Sequence, residues 1–153
     1  MTNNINLKVI LLKKCAEVVE EQLSKVQTQI KDIQESLSSE TKSSAGDKHE
    51  TGRAMIQLER EKAGNRLAEI EKTHAVLSKI DASKSVESLG LGSIVFTDKA
   101  NYFIAVSAGQ IEVDGTKFYA VSSASPIGQA LIGRTNGNLF KFRGQEIMIK
   151  EVY

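Results

Sequence analysis

The sequence predicts an α+β protein: an N-terminal antiparallel coiled-coil hairpin, then a small domain made of an antiparallel sheet with one helix. Three observations predict it. Apolar residues recur at alternating steps of four and three through residues 5–37. A weaker stripe of the same period runs from about 50 to 80. Beyond residue 90 the pattern changes to short β-branched and aromatic runs divided by turn residues.

The first stripe is Ile5, Val9, Leu12, Ala16, Val19, Leu23, Val26, Ile30, Ile33 and Leu37, an a/d heptad seam. Asn4 or Asn6 can cap its start. The second is Ile56, Arg60, Ala63, Leu67, Ile70, His74 and Leu77, in which Arg60 and His74 interrupt the apolar pattern. Folding the chain back at Gly46 and Asp47 sets Leu37 opposite Ile56, Val26 opposite Leu67, Val19 opposite His74 and Ala16 opposite Leu77. One hinge satisfies every pair, which argues for an intramolecular hairpin more strongly than either periodicity alone. At 1.5 Å per residue the arm is on the order of 45 to 50 Å long.

Ser and Gly enter at 81–90 and the heptad stops there, so the segment reads as a linker. The expected organisation is an arm over 1–80 with its tip near 43–50, a linker over 81–90 and a C-terminal domain over 91–153. Strands are expected at 93–97, 101–106, 110–113, 117–121, 139–142 and 146–152, with Asp114-Gly115 marking a tight hairpin. Between them, Ser125 can cap a short helix, Pro126 suits its first position and Gly133 its stop.

Composition narrows the function. The formal net charge is +1, so no global attraction to nucleic acid is expected, although local patches remain open. A lone cysteine, Cys15, excludes an intrachain disulfide and fits a reducing compartment. It reads as a small apolar filler on the first helix. No apolar run approaches the roughly 20 residues that span a bilayer, and the polar start carries no secretory pattern. A cytoplasmic protein with no membrane partner, acting as a monomer, is expected.

The residues that carry chemistry cluster at the hinge. Asp47 and Glu50 lie three apart, after a Ser/Gly-rich turn, where a long hairpin can deliver two carboxylates into another molecule. The same spacing also reads as a capping box for the second helix, and the two readings are compatible. His49 can position water or shuttle a proton, or stand as an exposed loop histidine. Arg53, Arg60, Lys62 and Arg66 form a basic run on the second helix, either a phosphate-attracting patch or a solvated face paired with Glu59, Glu61 and Glu69. No nucleophile triad is evident. His74 has no companion ligands and reads as a semi-buried seam residue.

Three stretches resemble the bacterial Gre transcription elongation (transcript-cleavage) factors. Gly46-Asp47-Lys48-His49-Glu50 is similar to that family's Gly-Asp-x-x-Glu at the turn of its coiled coil. Gly92-Ser93-Ile94-Val95-Phe96 is similar to the opening strand of its C-terminal domain. The segment from Val121 to Arg134 resembles its Ser-Pro-x-x-x-x-Leu-Ile-Gly motif, the most specific of the three.

The resemblance implies an FKBP-like C-terminal domain, without implying prolyl isomerase activity, docked at the rim of the RNA polymerase secondary channel while the arm enters it. It implies that Asp47 and Glu50 help hold Mg²⁺ in the polymerase active centre, so that the extruded RNA 3′ end of a backtracked complex is hydrolysed by two-metal chemistry. That Mg²⁺ is shared with the polymerase and is not expected on the isolated protein. The resemblance thus implies a stimulator of the polymerase's own cleavage activity rather than a stand-alone enzyme. Arg53, Arg60, Lys62 and Arg66 become RNA-contact candidates, and Ser125, Pro126 and Ile127 polymerase-docking candidates.

One departure opens an alternative. Strong cleavage factors of that family continue Glu-Asn-Ala-Glu-Tyr, whereas this chain reads Glu50-Thr51-Gly52-Arg53-Ala54. A non-cleaving channel regulator on the same scaffold is the second reading. An FKBP-like chaperone or isomerase is the third, against which the few aromatics argue.

Overall fold

In the computed structural model the described backbone covers residues 4–42 and 47–153, with side chains described for 4–39 and 51–153. The chain divides into two compact units, Val19–His74 on one hand and Met1–Val18 with Ala75–Tyr153 on the other.

The first unit is a helical hairpin cut from α1 (Asn4–Lys42) and α2 (Asp47–Ser78). Two cross-helix contacts fix its direction. Arg66 donates to the Gln29 Oε1 at 2.8 Å, and His74 meets Glu20 at 3.6 Å. As the α1 partner steps back towards the N-terminus, the α2 partner steps forward by nearly the same amount, so the helices are antiparallel. These two pairs fall two residues and one residue, respectively, from the register expected from the stripes. Val19, Val26 and Ile33 are buried at heptad spacing on α1, as are Ala63 and Ile70 on α2. His74 corrects the expected seam. It is exposed and turns to Glu20, because a titratable ring at the helix margin is better solvated than packed.

The second unit is a six-stranded sheet with one short helix, together with the first turns of α1. Its elements are β1 (Ile94–Thr97), β2 (Asn101–Ala105), β3 (Gly109–Val113), β4 (Thr116–Ser122), α3 (Pro126–Leu131), β5 (Leu139–Phe142) and β6 (Gln145–Val152). The order across the sheet is β3-β4-β2-β1-β6-β5. The expected antiparallel sheet is corrected at one pair, since β2 and β4 run parallel, with Tyr102 beside Tyr119 and Val121 beside Ile104. The reason is placement. The Asp114-Gly115 turn reverses the chain from β3 into β4, and β4 then inserts between β3 and β2.

Ile94 and Val95 are both fully buried, so the centre of the sheet is covered on both faces. One face carries a cluster of Leu89, Val95, Ile104, Leu131, Phe140, Ile147 and Ile149. Near β1, Phe96 makes edge-on contacts with Phe118 and Tyr153 at 5.6 and 5.8 Å between centroids. The first turns of α1 depart from the expected stripe. Leu7, Leu11 and Cys15 are buried, whereas Ile5 and Val9 are about half exposed, at 48% and 50%. This segment also answers to the sheet unit: the Lys8 Nζ donates to the Lys84 carbonyl at 2.6 Å, and Asn4 hydrogen-bonds Tyr153. Burial lowers the Lys8 pKa from its ordinary value.

Cys15 is fully buried, and burial pushes its thiol up to about 11 from 9.0. The unfolded thiol ionises first, so this contribution to stability is intact below about pH 9 and is lost as pH rises towards 11. At pH 8 iodoacetamide is expected to alkylate Cys15 at least about 100-fold faster in denaturant than in the folded protein. Equal rates would contradict its burial.

Candidate functional site

Helix α2 opens at Asp47, and Glu50 falls on its first turn, at the end of the hairpin where α1 and α2 are connected. Their side chains, with those of Lys48 and His49, lie outside the described residues, so the capping box also lies there. In a helical first turn, positions three apart share a face. Arg53 follows one turn later on that face and is exposed.

The basic run of α2 is not one patch. At 3.6 residues per turn, Arg53 and Arg60 stand roughly 20° apart, whereas Lys62 and Arg66 lie on the opposite side. Arg60 is half-buried on the seam, with its guanidinium folded back against Gly64, a position whose missing side chain makes room for it. Arg66 is engaged across the hairpin with Gln29, in a groove of about 430 Å³ that it shares with Gln22, Lys25, Val26 and Ile70. Glu69 pairs with Lys72 at 3.3 Å rather than serving the run. Arg53 and Lys62 are therefore the cations of the four that stand exposed without a cross-helix hydrogen bond among the described residues.

The Ser-Pro segment folds by the local rules its sequence announces. Ser125 is the N-cap of α3: its Oγ accepts from the Gly128 N–H at 3.1 Å and donates to the Ser122 carbonyl at 2.6 Å. Pro126 occupies the first turn, where no N–H is needed. Leu131 is fully buried and anchors the helix, and the Gly133 N–H closes on the Leu89 carbonyl at 2.8 Å.

Ser125, Pro126 and Ile127 come together on one wall of an open groove of about 370 Å³. Its other walls are Tyr102 and Tyr119, Val121, and Phe142 with Arg143. The two tyrosines are 6.1 Å apart, and burial, with the neighbouring Tyr119 adding to it, raises the Tyr102 pKa above its usual value. Tyr102, Tyr119, Phe142 and Arg143 were not among the residues the sequence singled out. The groove is assembled from β2, β4, α3 and the β5–β6 turn, and adjacency across a sheet leaves no local trace. One sign was readable: an arginine before glycine in a two-residue hairpin turn, where Asn, Asp or Gly is the usual choice.

Among the described residues, no group of three or more His, Cys, Asp or Glu is placed to hold a metal ion. Among them, too, no helix is long and apolar enough to cross a membrane.

No family model matches the chain, and no curated protein matches it. Among solved structures, that of the transcription factor Gfh1 matches 90% of this chain and 92% of its own at 21% identity, with a TM-score of 0.35.

Proposed function

We propose that this chain is a transcription factor that binds RNA polymerase, inserts its helical hairpin into the secondary channel and stimulates Mg²⁺-dependent cleavage of backtracked RNA through Asp47 and Glu50. The observation that carries the reading is the start of α2 at Asp47, which sets both acids at the connecting end of an antiparallel hairpin. The resemblance of the 46–50 and 121–134 stretches to the Gre family supplies the rest.

The donor set suits Mg²⁺. Two carboxylates offer hard oxygens, and Mg²⁺ usually takes one or two from a given protein element and fills its octahedron from elsewhere. Asp47 and Glu50 would hold the ion jointly with the polymerase. When bound, it supplies charge stabilisation and an activated water for phosphodiester hydrolysis. The role of this chain is delivery: α2 fixes the spacing of the acids, and the hairpin carries them. The wall formed by Ser125, Pro126 and Ile127 docks the sheet unit on the polymerase.

Arg53 favours a second reading. It stands one turn from Glu50, where a cation offsets the charge that a metal site needs. A factor so altered would occupy the channel and retune transcription without cutting.

The two readings separate in a stalled, backtracked elongation complex. Addition of the protein with Mg²⁺ is expected to shorten the RNA from its 3′ end. Binding that competes with a cleavage-competent factor but leaves the RNA intact selects the regulator. Absence of polymerase binding defeats both.

A further inference from the structure

Arg143 has a backbone it does not favour. Its φ is +52°, in the left-handed region, and Gly144 follows at +78°. These are the central residues of a two-residue hairpin turn between Phe142 and Gln145. The other such turn of the sheet unit uses Asp114 at +50° before Gly115 at +79°. Aspartate tolerates that region because its short polar side chain is compatible with it, and arginine has no such advantage. A residue kept in an unfavourable conformation points to a use for its side chain. Here the side chain has one visible position: the guanidinium lies 5.2 Å from the Phe142 ring, on the wall of the 370 Å³ groove.

The rest of the lining is aromatic, aliphatic or hydroxyl-bearing: Tyr102, Tyr119, Val121, Pro126 and Ile127, with Ser107 and Ser125. Arg143 is the one charged residue among them, and among the described residues it forms no ion pair. The floor is firm, because Tyr102, Val121, Ile127 and Phe142 all pack against the buried core of the sheet.

From this geometry we infer that the groove is built to take a protein segment presenting an apolar side chain beside a carboxylate. The apolar side chain enters between the tyrosines and Ile127. The carboxylate meets the planar fork of Arg143, which the Phe142 ring holds in place. Arg143 is thus the specificity-determining residue. A nucleic-acid occupant is disfavoured, since backbone phosphates are bound by several cations and this groove offers one. The inference rests on the docking role proposed for Ser125, Pro126 and Ile127 and adds the chemistry of the partner.

The test uses the full ¹⁵N-labelled chain and three probes: the peptide acetyl-Glu-Leu-Leu-Glu-Glu-Leu-amide, its counterpart with lysine at each glutamate, and a hexamer of oligo-uridine. The acidic peptide is expected to shift the amide resonances of residues 102, 119, 127 and 143, with little response to the other two. Arg143→Asn, which installs the preferred Asn-Gly turn, is expected to weaken that binding about tenfold, as loss of one charged hydrogen-bond pair does. The same variant is expected to raise the Tm by about 2 °C or more, from relief of the backbone conformation. Arg143→Lys should retain part of the affinity. Equal response to the acidic and basic peptides, preference for the RNA, no response to any probe, or unaltered binding by Arg143→Asn would overturn the inference. None of these results bears on RNA cleavage in the polymerase assay, so failure here and failure of the broader reading remain distinct.

Discussion

Gly128→Ala is expected to destabilise the sheet unit by about 3 kcal/mol, because a side chain at this position has nowhere to go. A Cβ there would stand 2.0 Å from the Ser122 carbonyl oxygen and 3.0 Å from the Ser123 Cα. Both obstacles are backbone, so no rotamer change relieves the clash. Ser122 is also held from the other side, since its carbonyl accepts from the Ser125 hydroxyl at 2.6 Å and the Ser125 N–H at 3.1 Å. Separating α3 from the end of β4 would break the cap and lift Leu131 from the core. In thermal unfolding the Tm should fall by on the order of 6–12 °C for a chain of this size. Gln129→Ala, one residue along on the exposed side of α3, should leave it within about 2 °C. A Gly128→Ala protein as stable as the parent would contradict the packing of the Ser-Pro segment.

Asp47→Ala and Glu50→Ala are each expected to slow RNA cleavage in the backtracked complex by at least about 100-fold, since metal-borne charge stabilisation is worth several kcal/mol. Polymerase binding should change little, because docking is assigned to Ser125, Pro126 and Ile127 and not to the acids. Raising Mg²⁺ should restore part of the activity of each single variant and none of the double variant, as weakened ligation allows and absent ligation does not. Loss of binding in parallel with loss of cleavage would show that the acids hold the protein in place instead. Unchanged cleavage in the double variant would remove them from the chemistry.

What the sequence revealed and what it hid divide along one physical line. The helix and strand positions, the Ser125 cap, the Pro126 start and the hairpin register all follow from interactions within a few residues or from a period that repeats many times. The insertion of β4 beside β2 does not, because a two-residue turn fixes only the neighbour on one side. At the start of α1 two stripes compete, Ile5 and Val9 against Leu7, Leu11 and Cys15, and apolar content does not separate them. The choice is made by what packs there, including the contacts of Asn4 and Lys8 with Tyr153 and Lys84. The basic run looked continuous in one dimension and is split by the helical turn in three. The groove was half legible: Ser125, Pro126 and Ile127 are sequence neighbours with a motif, whereas Tyr102, Tyr119 and Arg143 reach it only through the sheet.

Proximity to the polymerase metal is the central claim, and it can be read directly. Fe²⁺ exchanged for Mg²⁺ in the active centre of a stalled polymerase, with ascorbate and peroxide, releases hydroxyl radicals that cut only nearby backbone. With this chain bound and end-labelled, scission confined to about residues 43–54 is the expected pattern. Cuts within 91–153, or an intact chain in a complex shown to be bound, would contradict the account.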